Sequence, residues 1–365
     1  LPPEPLTDLA LEHPAPDELE VSVFGPGYGE AIAVHIGEGR WLTVDSCRNR
    51  RTGRPAALEY LLALGVDVSS DVVLVAATHW HDDHIAGLAQ VVEECAGAAF
   101  ACPASLEAGE FLRLVKASSV RAAVVRTGVA EFGDIVDGLA AQGRGAPTFG
   151  KSHTVLHRAA SCEVEALSPS DAAVLQAMAE IAGLLPQEDS GKKRVVPPPS
   201  NRASMAIQVI VGERSLLLGA DLQEVGVGVA GWTEIVNSPV RKPVKSELYK
   251  VAHHGSHNAD HGKIWSELLV PGPVAVLTPF SKGRSPLPST GDRTRIRGRT
   301  ATSYLTSGRG AGRIKRDGHT EKMLRGRSST ITRAEGPTGH VRARTAIGVP
   351  AADWVIELSE VAVQL

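Results

Sequence analysis

From Glu20 to Ile36 the sequence EVSVFGPGYGEAIAVHI sets β-branched residues on either side of Gly25, Gly27 and Gly29, a pattern that predicts two strands around a glycine turn. Trp41 to Asp45 (WLTVD) predicts a third strand. Ala56 to Leu64 has Leu58, Leu61 and Leu62 at helical spacing, and the apolar run Val72 to Ala76 predicts a buried strand that leads straight into THWHDDH. A helix is expected from about Ile85 to Cys95. Ala104 to Lys116 and Glu131 to Ala141 also read as helices, Cys162 to Leu167 as a strand, and SPSDAAVLQAMAEIAGLL as a capped helix. Ser204 to Val211 and Ser215 to Leu218 predict a hairpin turning on Gly212-Glu213 and ending at Gly219-Ala220-Asp221. A further helix leads to the strand Leu248 to Ala252, which runs into HHGSHN, and the final PAADWVIELSEVAVQL alternates like a strand returning to a sheet edge. This succession predicts an α/β layered domain with its chemistry on loops at strand ends.

Two segments break the pattern. The charged, proline-rich stretch 185–200 reads as a flexible insertion, and residues 1–19 as a lead. Composition is otherwise that of a globular chain: 365 residues, 43% hydrophobic and 22% charged. Four cysteines without CxxC spacing argue against a disulfide framework or a thiolate zinc site, so a reducing cytoplasm is the expected setting. No run approaches the roughly 20 apolar residues of a membrane span, and no membrane association is expected. The net charge of -3 argues against a polyanion-binding protein until it is resolved along the chain. Residues 282–346 hold 16 Lys and Arg against 4 Asp and Glu, while the remainder holds 22 basic and 37 acidic residues. The average conceals a polarised molecule.

Imidazoles and carboxylates, the ligand types that suit zinc or manganese, concentrate at three strand ends. In His79-Trp80-His81-Asp82-Asp83-His84 the alternating His79 and His81 can face one ion, while Asp83 and His84 turn toward a second. Asp221 can bridge the two cations from the end of LLLGAD. In VAHHGSHNADH, His253 or His254 completes the second site; His254 is preferred because one residue of slack lets its side chain clear the strand. His253 or His257 is then available to protonate a leaving oxygen. Beside them Gly255 allows close backbone approach.

These clusters, in the order HxHxDH, GAD, HHGS, resemble the metallo-β-lactamase superfamily over about residues 20–280. The segments SVFGPGYGEAIAVHI, WLTVDSC, NRASMAIQVIVGERSLLLGAD and LYKVAHHGSHNA are similar to the motifs of its ComEC-like branch, the hydrolase domain of DNA-uptake proteins and its stand-alone relatives. The resemblance implies an αββα sandwich followed by a basic C-terminal extension, residues 281–365, packed on the core. It implies two divalent ions, Zn2+ or Mn2+, with His79 and His81 on the first, Asp83, His84 and His254 or His253 on the second, and Asp221 between. Glu30 stands where the branch has Asp, and Ser46-Cys47 where it has Ala-Gly. Where many members place a further histidine, only His153 and His157 are on offer. The branch carries Asn and Ser there, here Asn201 and Ser204, so a weakly held first ion is expected.

The implied activity is hydrolysis by a metal-activated water, with Asp83 orienting it. The basic segment directs the choice of substrate toward a phosphodiester in DNA or RNA, with Arg293, Arg295 and Arg297, together with Asn201, Ser204 and Ser256, as substrate contacts. Arg299, Arg309, Arg313, Lys315 and Arg316 extend that surface. Two other readings stand beside it: hydrolysis of a small molecule such as a cyclic nucleotide, phosphocholine ester or lactone, and a regulatory role with a protein partner in a multi-component system. In the blander reading of the arginines they pair with the acidic remainder of the chain.

Overall fold

The strands of the sequence reading assemble into two sheets whose faces are sorted by side-chain alternation. The computed structural model describes residues 6, 8–26, 28–107, 111, 128–183, 201–226, 228–281, 286–308, 323, 338–349 and 352–365. The first sheet contains β1 (Glu18–Phe24), β2 (Ala31–Ile36), β3 (Trp41–Val44), β4 (Val72–Ala76), β5 (Ala99–Pro103) and β6 (Thr148–Gly150). The second contains β7 (Thr154–Arg158), β8 (Cys162–Ala166), β9 (Ile207–Val211), β10 (Arg214–Leu218), β11 (Ser246–Lys250), β12 (Leu269–Leu277) and β13 (Ser303–Leu305). Near the C-terminus, β14 (His340–Ala346) and β15 (Val355–Leu358) join the first sheet, and β16 (Val363–Gln364) the second. The orders are β15-β14-β1-β2-β3-β4-β5-β6 and β16-β13-β12-β11-β10-β9-β8-β7. In each sheet an antiparallel part passes into parallel strands, β3 to β6 in one and β10 to β13 in the other.

Alternation explains the layering. Leu19, Val21 and Val23 of β1, Ile32 and Val34 of β2, Ile207, Val209 and Val211 of β9, and Leu216 and Leu218 of β10 all face a core between the sheets. Each such side chain contributes about 1.5–3 kcal/mol on burial. The opposite face of the first sheet packs beneath α1 (Ala56–Leu64), α4 (Leu88–Glu94) and α5 (Gly128–Ala141). That of the second packs beneath α7 (Gly231–Asn237), with Trp232, Leu217 and Tyr249 in the layer. Three apolar layers between four layers of structure make the αββα sandwich that the family resemblance implies. Short helices α2 (Val68–Asp71) and α3 (Asp82–Ile85) occupy connections, α6 (Asp171–Ala182) is capped by Ser170, and α8 (Thr290–Arg297) begins with a Ser289/Asp292 capping box.

Some local expectations change. The helix expected from Ala104 is one 3-10 turn, Ala104–Leu106, with 108–110 and 112–116 outside the described residues. The helix expected from Ile85 is two, α3 and α4, separated by Gly87 in the left-handed region at φ 90. β6 and β7 arise where the sequence shows little periodicity. The insertion 185–200 lies outside the described residues, and so do Arg309, Arg313, Lys315 and Arg316.

The C-terminal basic segment is partly spent inside the fold. Arg342 of β14, almost wholly buried, pairs with Glu357 of β15 and donates to the Ala10 carbonyl, and Arg344 pairs with Glu20 of β1. Arg214 of β10 likewise pairs with Glu247 and donates to the carbonyls of Ala346, Val349 and Ala352. All four cysteines are free thiols, and burial pushes each of them up from the ordinary value. Among the described residues no helix is long and apolar enough to cross a membrane.

Candidate metal centre

Parallel strands deliver their carboxyl ends to one edge of the sandwich, and the side chains singled out in the sequence gather there. Asp45 follows β3, His79 to His84 follow β4, Asp221 follows β10, His253 and His254 follow β11, and Thr278 follows β12. Because β2 runs antiparallel to β3, its first flanking residue, Glu30, reaches the same edge. Four of these loop residues have left-handed backbone without being glycine: Asp45 (φ 58), Ala220 (φ 48), His253 (φ 47) and His254 (φ 54). Such conformations cost on the order of 1–3 kcal/mol each and persist where surrounding contacts over-determine them. Two glycines make room as well. A Cβ on Gly29 would lie 2.7 Å from the Cys47 Cβ and 3.1 Å from the Asp83 carbonyl oxygen, and one on Gly255 would lie 2.6 Å from Leu277.

Two groups share one carboxylate. Asp83, His84, Asp221 and His254 bring ligand atoms together in the first, and His79, His81 and Asp221 in the second. Asp221 Oδ1 is 3.4 Å from His84 Nε2, while its Oδ2 is 3.8 Å from His254 Nε2 and 3.9 Å from His79 Nε2. Asp83 Oδ2 lies 3.4 Å from His254 Nε2 and 3.8 Å from His84 Nε2. Trp80, between the two histidines of the alternating pair, points the opposite way into the apolar layer against Phe111. Asp82 is turned away too, its carboxylate accepting from the Gly128 N–H at the start of α5.

The far nitrogen of each buried imidazole is already committed. His84 Nδ1 lies 2.7 Å from Asp45 Oδ2, which can only accept. His254 Nδ1 is 3.2 Å from the Thr278 carbonyl, another pure acceptor. Thr78 Oγ1 gives its proton to Asp45 Oδ2 at 2.7 Å and so accepts from His79 Nδ1 at 2.9 Å. All three rings therefore carry hydrogen on Nδ1 and turn Nε2 into the cluster. Those three Nε2 atoms and Asp221 Oδ1 are buried without a hydrogen-bond partner. Convergent, buried ligand atoms without partners are what a divalent cation requires of a site, so the residues fit two such ions.

Electrostatics agree. Glu30, Asp45, Asp83 and Asp221 are buried around His79, His84, His254 and Lys250. Burial drives the Asp221 carboxyl up, but His84 and His254 outweigh it and hold it well below the usual carboxylate range. Burial likewise disfavours the His84 cation, yet Asp221, Asp45 and Glu30 raise it well above the ordinary imidazole value. His79 is pushed well below it by burial, with His84 and His81 adding to the effect. An anionic cluster that raises His84 and His254 is short of positive charge.

His253 stands apart from His254. Asn201 Nδ2 donates to Asp221 Oδ2 and faces His253 Nε2, both at 3.3 Å, so His253 Nδ1 donates to Asn258 Oδ1 at 2.9 Å. It sits at the lip of the cluster, with 17% of its side chain exposed. Asn201 Oδ1 and Ser204 Oγ are buried and unpaired, and with His79 and His81 they line a narrow cavity. His257 is exposed and belongs to neither group, and Ser256 is half-buried. His153 is elsewhere, between Glu165 (3.1 Å) and Ser238 (3.0 Å), and His157 lies on β7. Arg295 is engaged by Asp292, by Asp260 at 3.1 Å and by the Gly255 carbonyl at 2.6 Å, which fastens α8 to the His254 loop. Arg293 and Arg297 have no such partner among the described residues.

The sequence reading passed over two features. Arg48, Arg50, Arg51 and Arg54 crowd the loop after Asp45, visible as four arginines in RNRRTGR. Lys250, completely buried, pairs with Glu30 at 2.6 Å, a contact with no local sequence signal.

No family model and no curated protein matches the chain. Solved structures similar to it include the metallo-beta-lactamase fold protein YhfI from Bacillus subtilis, 12% identical over 79% of this chain and 96% of that one, with a TM-score of 0.39. MEM-A1, a subclass B3 metallo-beta-lactamase from a soil metagenome library, is 12% identical over 65% and 81%, with a TM-score of 0.34. A motif mutant of a metallo-beta-lactamase from Cronobacter sakazakii is 12% identical over 70% and 71%, with a TM-score of 0.32.

Proposed function

We propose that the chain is a metal-dependent hydrolase of the metallo-β-lactamase superfamily, in its ComEC-like branch, and that it cleaves phosphodiesters in DNA or RNA. The observation that carries the hydrolase reading is the shared carboxylate. Asp221 faces His84 with one oxygen and His79 and His254 with the other, so that two cation sites have a common wall. Divalent zinc or manganese held there would supply Lewis acidity to water and to the oxygens of the scissile group. The chain's own residues do the rest. His79, His81 and Asp221 hold one ion, with Asn201 and Ser204 beside them; Asp83, His84, Asp221 and His254 hold the other. Asp45, Thr78 and Thr278 fix the rings. His253, partly exposed at the lip, is placed to pass a proton to a leaving oxygen.

Charge supports the polynucleotide. The Arg48 to Arg54 loop follows the strand that carries Asp45, and α8, with Arg293 and Arg297, packs against the His254 loop through Arg295. The loop after Asp45 and α8 thus both carry guanidinium groups of the kind that suits phosphate. Metal analysis followed by incubation with linear, circular and single-stranded nucleic acids, under zinc and under manganese, tests the reading. Cleavage that disappears with chelator is the expected result. Intact strands alongside hydrolysis of a cyclic nucleotide, phosphocholine ester or lactone would replace the polynucleotide with a small molecule. Metal binding with no hydrolysis of any of these would leave a regulatory role with a protein partner.

A further inference from the structure

Glu30 touches the proposed metal centre twice without being one of its ligands. Its backbone N–H donates to the Asp83 carbonyl at 2.9 Å, and its carboxylate accepts from Thr278 Oγ1 at 2.6 Å. The same Thr278 oxygen lies 3.1 Å from His254 Nδ1. We propose that Glu30 and Thr278 are positioning residues of the second metal site, a relay that sets the tautomer and the aim of His254 while the Glu30 backbone holds Asp83 in place. This rests on the metal reading above.

The direction of each hydrogen bond follows from the groups themselves. A carboxylate beside the Lys250 ammonium at 2.6 Å is an acceptor, so the Thr278 hydroxyl proton is spent on Glu30 and the hydroxyl presents a lone pair to His254. His254 Nδ1 must then donate, shared between that hydroxyl and the Thr278 carbonyl, and Nε2 is aimed at Asp83 and Asp221. His84 reaches the same state by direct contact with a carboxylate, Asp45; His254 reaches it through an intervening threonine.

Energy favours positioning over stability as the role of the ion pair. Glu30 and Lys250 are at most 1% exposed, and the desolvation of such a pair often cancels its attraction. Despite that burial the Glu30 carboxyl is held below its ordinary value, first by Lys250 and then by His84 and His254. A buried pair that contributes little net stability, set directly behind a ligand and bonded to the chain of another, is placed to orient.

Thr278→Val removes the hydroxyl and keeps the methyl that packs near Gly25, leaving the Glu30 and Lys250 pair intact. Zinc and manganese dissociation constants, read by competition with a chromophoric chelator, should weaken by about 10-fold to 100-fold for the second ion. Thr278→Ser should restore them, and unfolding of the metal-free variants should match that of the unaltered chain. Nitrogen NMR of the zinc-loaded forms should find the His254 Nδ1 resonance alike in the unaltered and Ser forms and shifted in the Val form, where the Thr278 carbonyl alone accepts from it. Unchanged affinity and Nδ1 resonance in Thr278→Val, with metal still bound by the unaltered chain, would overturn the relay alone. An unaltered chain that binds neither ion would overturn the metal reading and the relay together.

Discussion

Asp221 meets His79, His84 and His254 because Ala220, just before it, takes a left-handed turn at the end of β10. A ligand that binds only the folded chain stabilises it by about 2.7 kcal/mol at 100 times its dissociation constant. Zinc or manganese should therefore raise the unfolding temperature, and Asp221→Asn should abolish that rise for both ions along with hydrolysis; a full rise in the variant, measured by scanning calorimetry, would remove Asp221 from the shared position. Gly255, at φ 80 and 2.6 Å from Leu277 at its absent Cβ, gives a second expectation. Gly255→Ala should cost about 1–3 kcal/mol in denaturant unfolding and weaken metal binding, since the strain falls beside His254. At this scale the sequence is informative where ligands are local. HxHxDH declares itself because an alternating pair after a strand shares one side. The separation of His253 from His254 is not legible there, because it depends on two successive positive φ angles. Nor is Glu30 with Lys250, whose partners come from different sheets.

Elements were legible where period and caps coincide. Val72–Ala76 and Ala56–Leu64 have the bounds that their apolar spacing predicts, and Ser170 caps α6 as its sequence implies. β14 was hidden for a physical reason: in HVRARTA the inward positions are short apolar residues and the outward ones are arginines that find carboxylate partners, so the strand reads as part of a charged stretch. Its pairing with β15 rests partly on Arg342 and Glu357, whose hydrogen bonds from the guanidinium hold the Glu357 carboxyl below its ordinary value of 4.5. A carboxylate with a lowered folded value contributes stability that is fully present above the unfolded value and is lost as pH falls through the folded one. Glu357→Gln should thus be less stable than the unaltered chain at neutral pH. The difference should shrink as pH drops below about 4.5 through the folded value, which is the window set by the direction of that shift. Thermal unfolding followed across pH 3 to 7 (about the range needed) checks it, and a gap that stays constant with pH would mean that the ion pair is not its source.

Over the whole molecule the same arginine count serves two purposes. Arg342 and Arg344 hold β14, β15 and the N-terminal lead together, and Arg295 fastens α8 to the His254 loop, so these charges are neutralised inside the fold. Arg293 is half-buried and Arg297 and Arg299 are exposed, with no paired carboxylate among the described residues. Net charge along the sequence could not separate the two sets, because both lie in one segment and alternate with similar spacing. Salt dependence can. Each phosphate neutralised by a cationic side chain contributes about 0.9 to the slope of log affinity against log salt for duplex DNA. If α8 forms one wall of a polynucleotide track, replacing Arg293, Arg297 and Arg299 together by Gln should weaken binding and flatten that slope by up to about 3, with metal affinity and unfolding unchanged. Arg342→Gln should do the reverse, lowering stability through loss of a buried pair and leaving the slope as it was. Fluorescence anisotropy with a labelled duplex from low to moderate salt, with catalysis blocked by Asp221→Asn, measures both variants on one footing. A slope indifferent to these three arginines would take the nucleic-acid contact off α8.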